Sequence, residues 1–377
     1  MKSRRILIAC GGSGGHLAPG IALAQELSSR GYQPVLFVSS KAVDRRILAS
    51  YPSWPVFSLP ASPPSRKWGT WLRFAYLQFL SLIRTLRFLN QNPAAAVIVT
   101  GGFTSPPVAL AGFLKKIPLF IHESNRVPGK VTRLLARLAR RVYLPSEWAV
   151  LQTPRSRRHK LLPSWSHKFK PLGYPLRSEF FGPEALPKEG FPRNPEKGPS
   201  FLLLGGSQGA WVLNRWFVQH VEELAPLAGR WICVTGEGYY GEHGEDLEKV
   251  RQDHPSVEFL PFGEHMPSLL AEADLVIARA GAGSIAECLH CEVPMLLVPL
   301  PSATDDHQQA NAEWAQALGC ACVVRQENLD FLLPLLRWLR SATGILQSMR
   351  HKSRDRAKAE DVRRFIVEDM LASMEGA

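Results

Sequence analysis

Apolar residues along the chain fall into short runs separated by longer stretches with helical spacing. Arg5-Ile-Leu-Ile-Ala-Cys10 is such a run, and it stops at Gly11-Gly-Ser-Gly-Gly-His16 before an apolar pattern resumes beyond Pro19. That order predicts a strand, a glycine turn and a helix. It returns mid-chain: Ser200-Phe-Leu-Leu-Leu204, then Gly205-Gly-Ser-Gln-Gly209, then Ala210-Trp-Val-Leu-Asn-Arg-Trp-Phe217. The two glycine turns start 194 residues apart, about half the chain. Further strand signals follow in each half, at 34–38, 96–99 and 118–121, then at 230–234, 257–260, 275–278 and 295–298. Strands alternating with helices predict parallel sheets covered on both faces, so the fold class is α/β with two Rossmann-like domains.

Thr153 to Ser200 is dense in proline, which breaks regular structure and marks a boundary. The expected division is 1–172, 173–345 and a C-terminal helix over 346–377 that packs on either domain.

Trp68 to Leu89 is apolar nearly all round, interrupted by arginines. An ordinary surface helix has one apolar stripe, here Leu72, Tyr76, Phe79, Ile83 and Leu86. The surplus is Trp68, Trp71, Phe74 and Phe88, and tryptophan beside arginine suits a bilayer interface. A helix buried between a sheet and its neighbours is the alternative.

At 377 residues, with 45% apolar and 21% charged, the composition excludes disorder and fibres. No 18 consecutive residues are apolar, which excludes a predicted membrane span. Met1 to Arg5 resembles the start of a signal peptide, but the apolar run behind it is too short, which predicts a protein that stays in the cytoplasm. Six cysteines are too few for a disulfide scaffold. Cys288, Cys291, Cys320 and Cys322 could form a four-thiolate zinc site, although the first pair lies in a helical, half-apolar stretch where cysteine serves as a small buried hydrophobe.

The net charge is +12, and residues 126–170 hold twelve Lys or Arg against Glu147 alone. That segment predicts a surface facing something anionic, whether phospholipid, nucleic acid or a phosphorylated substrate.

Glycine turns between strand and helix let backbone N–H groups converge on an anion, and diphosphates are the usual guests. The first loop lacks the last glycine of the NAD fingerprint, and the second strand ends in Ser39-Ser40 where a ribose-binding acid belongs. A P-loop is absent, and so is any Asp-x-Asp of the kind that holds a nucleotide diphosphate through a metal. Helix dipoles and cationic side chains are left to neutralise a leaving group.

Gly11-Gly-Ser-Gly-Gly-His16-x-x-Pro19, Gly101-Gly-Phe-Thr-Ser-Pro-Pro107, His122-Glu-Ser-Asn125, Gly205-Gly-Ser-Gln-Gly-Ala210, Arg279-Ala-Gly-Ala-Gly-Ser-Ile-Ala-Glu287 and His307-Gln-Gln-Ala-Asn-Ala312 together resemble the ordered motifs of the MurG transferases. The resemblance spans about 300 residues and implies the GT-B architecture, two Rossmann-like domains with a cleft between them. It implies an inverting transfer of N-acetylglucosamine from UDP-GlcNAc to the 4-hydroxyl of undecaprenyl-diphosphate-linked N-acetylmuramyl-pentapeptide, lipid I to lipid II, in peptidoglycan synthesis. It also implies no metal or other cofactor, no nucleic acid partner, and a peripheral place on the anionic cytoplasmic face of the inner membrane.

The resemblance makes His16 and Glu123 the two candidates for general base, with imidazole suited to deprotonate a sugar hydroxyl near neutral pH. His16 could instead orient the acceptor diphosphate. Donor contacts implied on the first half are Ser13, Gly14, Gly15 and Asn125, with Arg177 at the junction. On the second half they are Ser207, Gly263 and the helix start Ala282, Gly283, Ser284, Ile285, Ala286 and Glu287, the last on the ribose hydroxyls. Gln308 is implied to meet the donor sugar, and Asn311, one turn on, shares that surface. Ser13, Phe103, Pro106, Tyr174 and Ser284 depart from the family pattern, and Phe103 lacks the hydroxyl of the tyrosine expected there. Three rival readings are a glycolipid synthase, a UDP-sugar 2-epimerase, which shares the fold but needs no membrane face, and a nucleic-acid-binding protein.

Overall fold

A computed structural model describes residues 3–60, 68–145, 167–185, 192–194, 196–206, 209–357 and 361–375. The chain divides into two compact units, Met1–Arg177 with Asp361–Ala377, and Ser178–Glu360.

The first unit is built on seven parallel strands, β1 (Arg5–Ala9), β2 (Gln33–Ser39), β3 (Val56–Leu59), β4 (Ala96–Val99), β5 (Leu119–His122), β6 (Arg141–Tyr143) and β7 (Phe169–Lys170). Their order across the sheet is β3-β2-β1-β4-β5-β6-β7. The helices between them are α1 (Gly14–Ser29), α2 (Ala42–Ala49), α3 (Trp68–Gln91), α4 (Ser105–Leu114) and α5 (Lys130–Leu135). Burial on both faces explains why these strands read as continuous apolar runs. Ile6 and Ile8 pack with Leu17, Ile21 and Leu27 on one side, while Leu7 and Ala9 pack with Leu89, Val108 and Leu135 on the other.

The second unit has six parallel strands, β8 (Ser200–Leu204), β9 (Arg230–Val234), β10 (Val257–Leu260), β11 (Leu275–Ala278), β12 (Met295–Leu297) and β13 (Ala321–Val323), in the order β10-β9-β8-β11-β12-β13. Its helices are α6 (Trp211–Gln219), α7 (Val221–Leu224), α8 (Glu237–Asp253), α9 (Met266–Glu272), α10 (Ala282–His290), α11 (His307–Ala317), α12 (Leu332–Ser341) and α13 (Thr343–Ala357). Trp231 forms the aromatic centre of its core with Phe201 and Phe217, whose ring centroids lie 5.2 and 5.0 Å from its own.

The single C-terminal helix expected over 346–377 is two. α13 belongs to the second unit, and α14 (Val362–Glu375) belongs to the first. Ile366, Val367 and Met370 enter the α1 side of the first core, Tyr143 Oη donates to Asp369 Oδ2 at 3.0 Å, and Arg140 Nε donates to Ser373 Oγ at 2.7 Å.

α3 departs from the expected orientation. Its buried seam is Ser81, Thr85 and Leu89, whereas Leu72, Tyr76 and Phe79, expected to face the core, lie 78%, 64% and 62% exposed. Ser81 and Thr85 are small enough for close approach, and the Thr85 hydroxyl is satisfied within the helix by the Ser81 carbonyl at 2.8 Å. Phe88, counted as surplus, packs instead against Phe37 and Phe57, each at 5.3 Å between centroids. A helix apolar on every side gives no periodic signal of which side turns inward.

Candidate active site

Each sheet has one place where strand order reverses, β1/β4 in the first unit and β8/β11 in the second. Loops leaving the carboxyl ends of strands diverge there and open a crevice. Both glycine turns sit at these points, following β1 and β8.

In the first unit the Gly11–His16 turn enters α1 at Ser13, the N-cap residue, so Gly14, Gly15 and His16 form the first helical turn. His16 Nδ1 lies 2.9 Å from the carbonyl oxygen of Thr100, just beyond β4. A carbonyl only accepts, so Nδ1 carries the proton and Nε2 holds the lone pair. The Thr100 hydroxyl closes the ring by donating to the His16 carbonyl at 2.6 Å. Gly101 has φ +105°, and a Cβ there would lie 2.7 Å from His16 Cε1. A side chain at 101 would displace the imidazole, so the glycine sets the ring's position.

β5 ends in His122, followed by the Glu123 turn. Glu123 Oε1 accepts from Asn125 N–H at 2.9 Å and from Asn125 Nδ2 at 3.2 Å, while Oε2 accepts from Gly129 N–H at 2.9 Å and the Thr132 hydroxyl at 2.6 Å. Those four bonds occupy the carboxylate and tie the turn to the start of α5. His122 is fully buried, its ring 5.8 Å from that of Tyr174 in T-shaped contact. Neither ring nitrogen reaches a hydrogen-bond partner at normal geometry. Burial pushes its pKa down to about 4, and the charge of nearby His16 adds to this; the Gly173 backbone favours the charged form without offsetting burial.

The unfolded ring binds its proton near 6.5 and the folded one only near 4. Between those values the unfolded chain holds the extra proton, so stability is full above pH 6.5 and falls as pH drops towards 4, by up to about 3 kcal/mol. Urea unfolding of wild type and His122→Phe at pH 7.5 and pH 5 should show a smaller acid loss in the variant. Equal losses would contradict it.

In the second unit Ser207 and Gln208, at the tip of the glycine turn, lie outside the described residues. Gly205 N–H bonds to Val234 at 2.8 Å, and Gly209 has φ +73° with Thr235 O only 2.7 Å from where a Cβ would stand. After β11, Gly281 caps α10 in an extended conformation, so Ala282, Gly283 and Ser284 present free N–H groups at the first turn. Ile285 is buried, which limits its ligand contact to the backbone, whereas Ala286 and Glu287 are half-buried on the open side. Gly263 lies in the turn between β10 and α9, where the Met266 side chain closes over it.

Gln308 stands in the first turn of α11. Its Oε1 accepts from Leu300 N–H at 3.0 Å, which leaves the amide Nε2 as its remaining donor. Asn311 does not share that surface: it is buried, and Nδ2 donates to the Ala280 carbonyl at 3.2 Å, holding α11 against the entry to α10. Asp305 and Asp306, just before, both have left-handed backbones at φ 54° and 52°, a conformation Asp tolerates better than most residues. Arg279 joins the network through Gln326 Oε1 at 2.6 Å and the Val298 carbonyl at 3.2 Å.

The first unit thus gathers Ser13, Gly14, Gly15 and His16 with the β4 and β5 ends, and the second gathers Gly205, Gly209, residues 282–287 and Gln308. Arg177 Nη1 lies 3.5 Å from Tyr51 Oη within the first unit, and Tyr51 stacks on Trp54. Three contributors carry no sequence signal. Asp44, fully buried, accepts from Gly12 N–H, Ser39 N–H and the Ser39 hydroxyl. Thr100 acts through its backbone, and Arg193 serves as a brace. Cys288, Cys291 and Cys320 are buried thiols, burial and neighbouring carboxylates pushing Cys291 up to about 12, and no group of His, Cys, Asp or Glu among the described residues is arranged to hold a metal.

Two glycine-turn crevices on paired Rossmann-like sheets, one with an oriented imidazole and one with a helix start, match known proteins. Residues 6–144 match the glycosyltransferase family 28 N-terminal domain and residues 200–368 its C-terminal domain, so the chain is a family 28 glycosyltransferase. An Opitutus terrae UDP-N-acetylglucosamine--N-acetylmuramyl-(pentapeptide) pyrophosphoryl-undecaprenol N-acetylglucosamine transferase is 37% identical over 376 residues, 97% of this chain and 94% of that one. Its Prochlorococcus marinus counterpart is 36% identical over 326 residues, 85% and 82% of the respective chains. The Acinetobacter baumannii MurG structure superposes with a TM-score of 0.70 at 25% identity, covering 98% of this chain and 99% of that one. The calicheamicin glycosyltransferase CalG4, at 16% identity and a TM-score of 0.68 over 100% of this chain and 99% of that one, shares the fold. Within family 28 the chain belongs to the MurG transferases.

Proposed function

We propose that this protein transfers N-acetylglucosamine from UDP-GlcNAc to the 4-hydroxyl of a muramyl-pentapeptide carried on undecaprenyl diphosphate. The observation that supports the chemistry is the His16 Nδ1 bond to the Thr100 carbonyl, which in the neutral ring leaves Nε2 to take the proton. The acceptor oxygen attacks the anomeric carbon from the face opposite UDP. The new O–C bond forms as the C–O bond to the β-phosphate breaks; the hydroxyl proton goes to His16 Nε2 and the electron pair leaves with UDP. The leaving diphosphate is held by the amides at the start of α10 and by the second glycine turn, where the helix dipole favours negative charge. Glu287 receives the ribose hydroxyls and Gln308 Nε2 donates to the sugar. Glu123, with both oxygens bonded, positions Asn125 towards the donor rather than taking the proton. The first glycine turn receives the diphosphate of the acceptor.

The lipid-linked acceptor requires a membrane-facing surface, and α3 offers one. Trp71, Leu72, Tyr76 and Phe79 stand exposed beside Leu110, Phe113 and Leu114 of α4, while Leu134 of α5 is 68% exposed. Arg73, Arg84, Arg87, Lys115 and Lys116 are exposed on the same helices and the turn after α4. An apolar patch rimmed by cations fits the anionic cytoplasmic leaflet, each basic residue contributing about 1 kcal/mol before screening. No helix among the described residues is long and apolar enough to cross a membrane. Arg155, Arg157, Arg158 and Lys160 of the basic segment lie outside the described residues. Leu72→Ser with Phe79→Ser should lower binding to anionic vesicles at least about tenfold, given the transfer energy of two large side chains. The melting temperature should hold, because both are exposed. Undiminished vesicle sedimentation by the folded double variant would remove this surface.

A further inference from the structure

The first glycine turn has a cation seated on it that the mechanism above does not use. Lys41, the residue before α2, donates from Nζ to the Gly12 carbonyl at 2.9 Å and lies 5.1 Å from the centroid of the Phe103 ring. The ring lies against the turn: Gly12 has φ +115°, and a Cβ there would stand 2.8 Å from Phe103 Cε1. Phe103 is itself held by Gln78 of α3, whose Nε2 donates to its carbonyl at 2.9 Å.

The surrounding bonds define what an anion would meet. Gly12 N–H is taken by the buried Asp44 carboxylate at 2.9 Å, and His16 N–H turns back to the Ser13 carbonyl at 3.1 Å. Neither amide is free for a ligand. The Gly12 carbonyl, and Asp44 behind it, would repel a phosphate unless covered. The Lys41 ammonium covers that carbonyl with one proton and keeps two others, half-buried, at the mouth of the turn. The aromatic face holds the ammonium in place electrostatically without neutralising it.

We propose that Lys41 binds the diphosphate of the lipid-linked acceptor, supplying a positive charge beside the neutral amides that begin α1. This rests on the assignment of the first glycine turn to the acceptor. UDP has its own amides on the second unit, so the contact is specific to one substrate. Phosphate oxygens accept from two remaining ammonium protons while the third stays on Gly12, so binding requires no rearrangement of the turn.

The test uses the full-length enzyme with a short-chain, water-soluble lipid I analogue bearing the diphosphate. Lys41→Met should raise its KM about ten- to a hundredfold, the range for a charged hydrogen bond, with kcat within about threefold. The affinity for UDP by calorimetry should not change, and Lys41→Arg should stay within a few fold of wild type. A lost phosphate contact must also flatten the rise of acceptor KM with salt, which a loosened turn would not do. An unchanged acceptor KM, a parallel fall in UDP affinity, or a salt dependence as steep as wild type would each overturn the role of Lys41. Failure of the wild type itself to transfer sugar to any diphosphate acceptor would take down the functional reading, and this proposal with it.

Discussion

His16→Ala should lower kcat by about 10² to 10⁴ while UDP affinity stays within a few fold. The imidazole acts on the acceptor hydroxyl only as the glycosidic bond forms, so its loss removes stabilisation from the transition state and little from either ground state. The groups assigned to UDP belong to other strands, β8, β11 and β12, which the substitution leaves untouched. His16 is half-buried and its ring occupies space bounded by Gly101, so alanine leaves a gap without straining the turn. A defect confined to acceptor KM would mean that the ring orients the diphosphate instead.

Arg193→Met should destabilise the second unit by about 3 to 5 kcal/mol. Arg193 is 5% exposed, and its guanidinium donates through Nη1 to Leu270 and Ala271 at 3.2 and 2.6 Å, and through Nη2 to Cys291 and Glu292 at 2.9 and 2.8 Å. Those carbonyls end α9 and α10, where helices have acceptors without internal partners and negative dipole ends. Its own N–H bonds to Asp274 Oδ1 at 2.9 Å, and Asp274 Oδ2 also receives Ser200 N–H, binding the segment to the start of β8. Burial lowers the Arg193 pKa to about 10, still far above neutral, so the group remains charged. Methionine fills the space but takes the donor from four carbonyls, of which only that of Leu270 keeps a backbone partner, the Ala273 N–H at 3.2 Å. Arg193→Lys should recover only part of the loss, because a point donor cannot reach two pairs of carbonyls with the geometry of a planar fork. Urea unfolding followed by circular dichroism reads the change, and a loss below about 1 kcal/mol would show that water replaces the side chain.

The fold was legible where burial imposed a pattern. Strands enclosed on both faces, such as Ile6 to Ala9 and Leu275 to Ala278, read as unbroken apolar runs bounded by glycine. β3, β6, β7 and β13 escaped notice because they are short, two to four residues each, and lie at or near sheet edges where neighbours rather than sequence define them. The orientation of α3 was not legible for the opposite reason: too many of its positions are apolar, and the seam is set by Ser81 and Thr85, whose value is their size.

The glycine turns, His16, Glu123 and the start of α10 were legible because strand, turn and helix signals are contiguous there. What Glu123 does was not. Its partners Gly129 and Thr132 become visible only once the turn folds back on it. Asp44 and Thr100 meet residues 32 and 84 positions away, the Asp44 carboxylate on the Gly12 N–H and the Thr100 carbonyl on the His16 ring, so one partner in each pair is a backbone group that any sequence possesses.

The most direct test of the central claim is a single incubation of purified full-length protein with radiolabelled UDP-GlcNAc and a lipid I analogue, followed by separation of products and assignment of the anomeric configuration. The account predicts label in a β-linked disaccharide on the lipid, one UDP released per sugar transferred, and none of it with His16→Ala on the same time scale. Label recovered as epimerised sugar, or UDP released without a disaccharide, would contradict it.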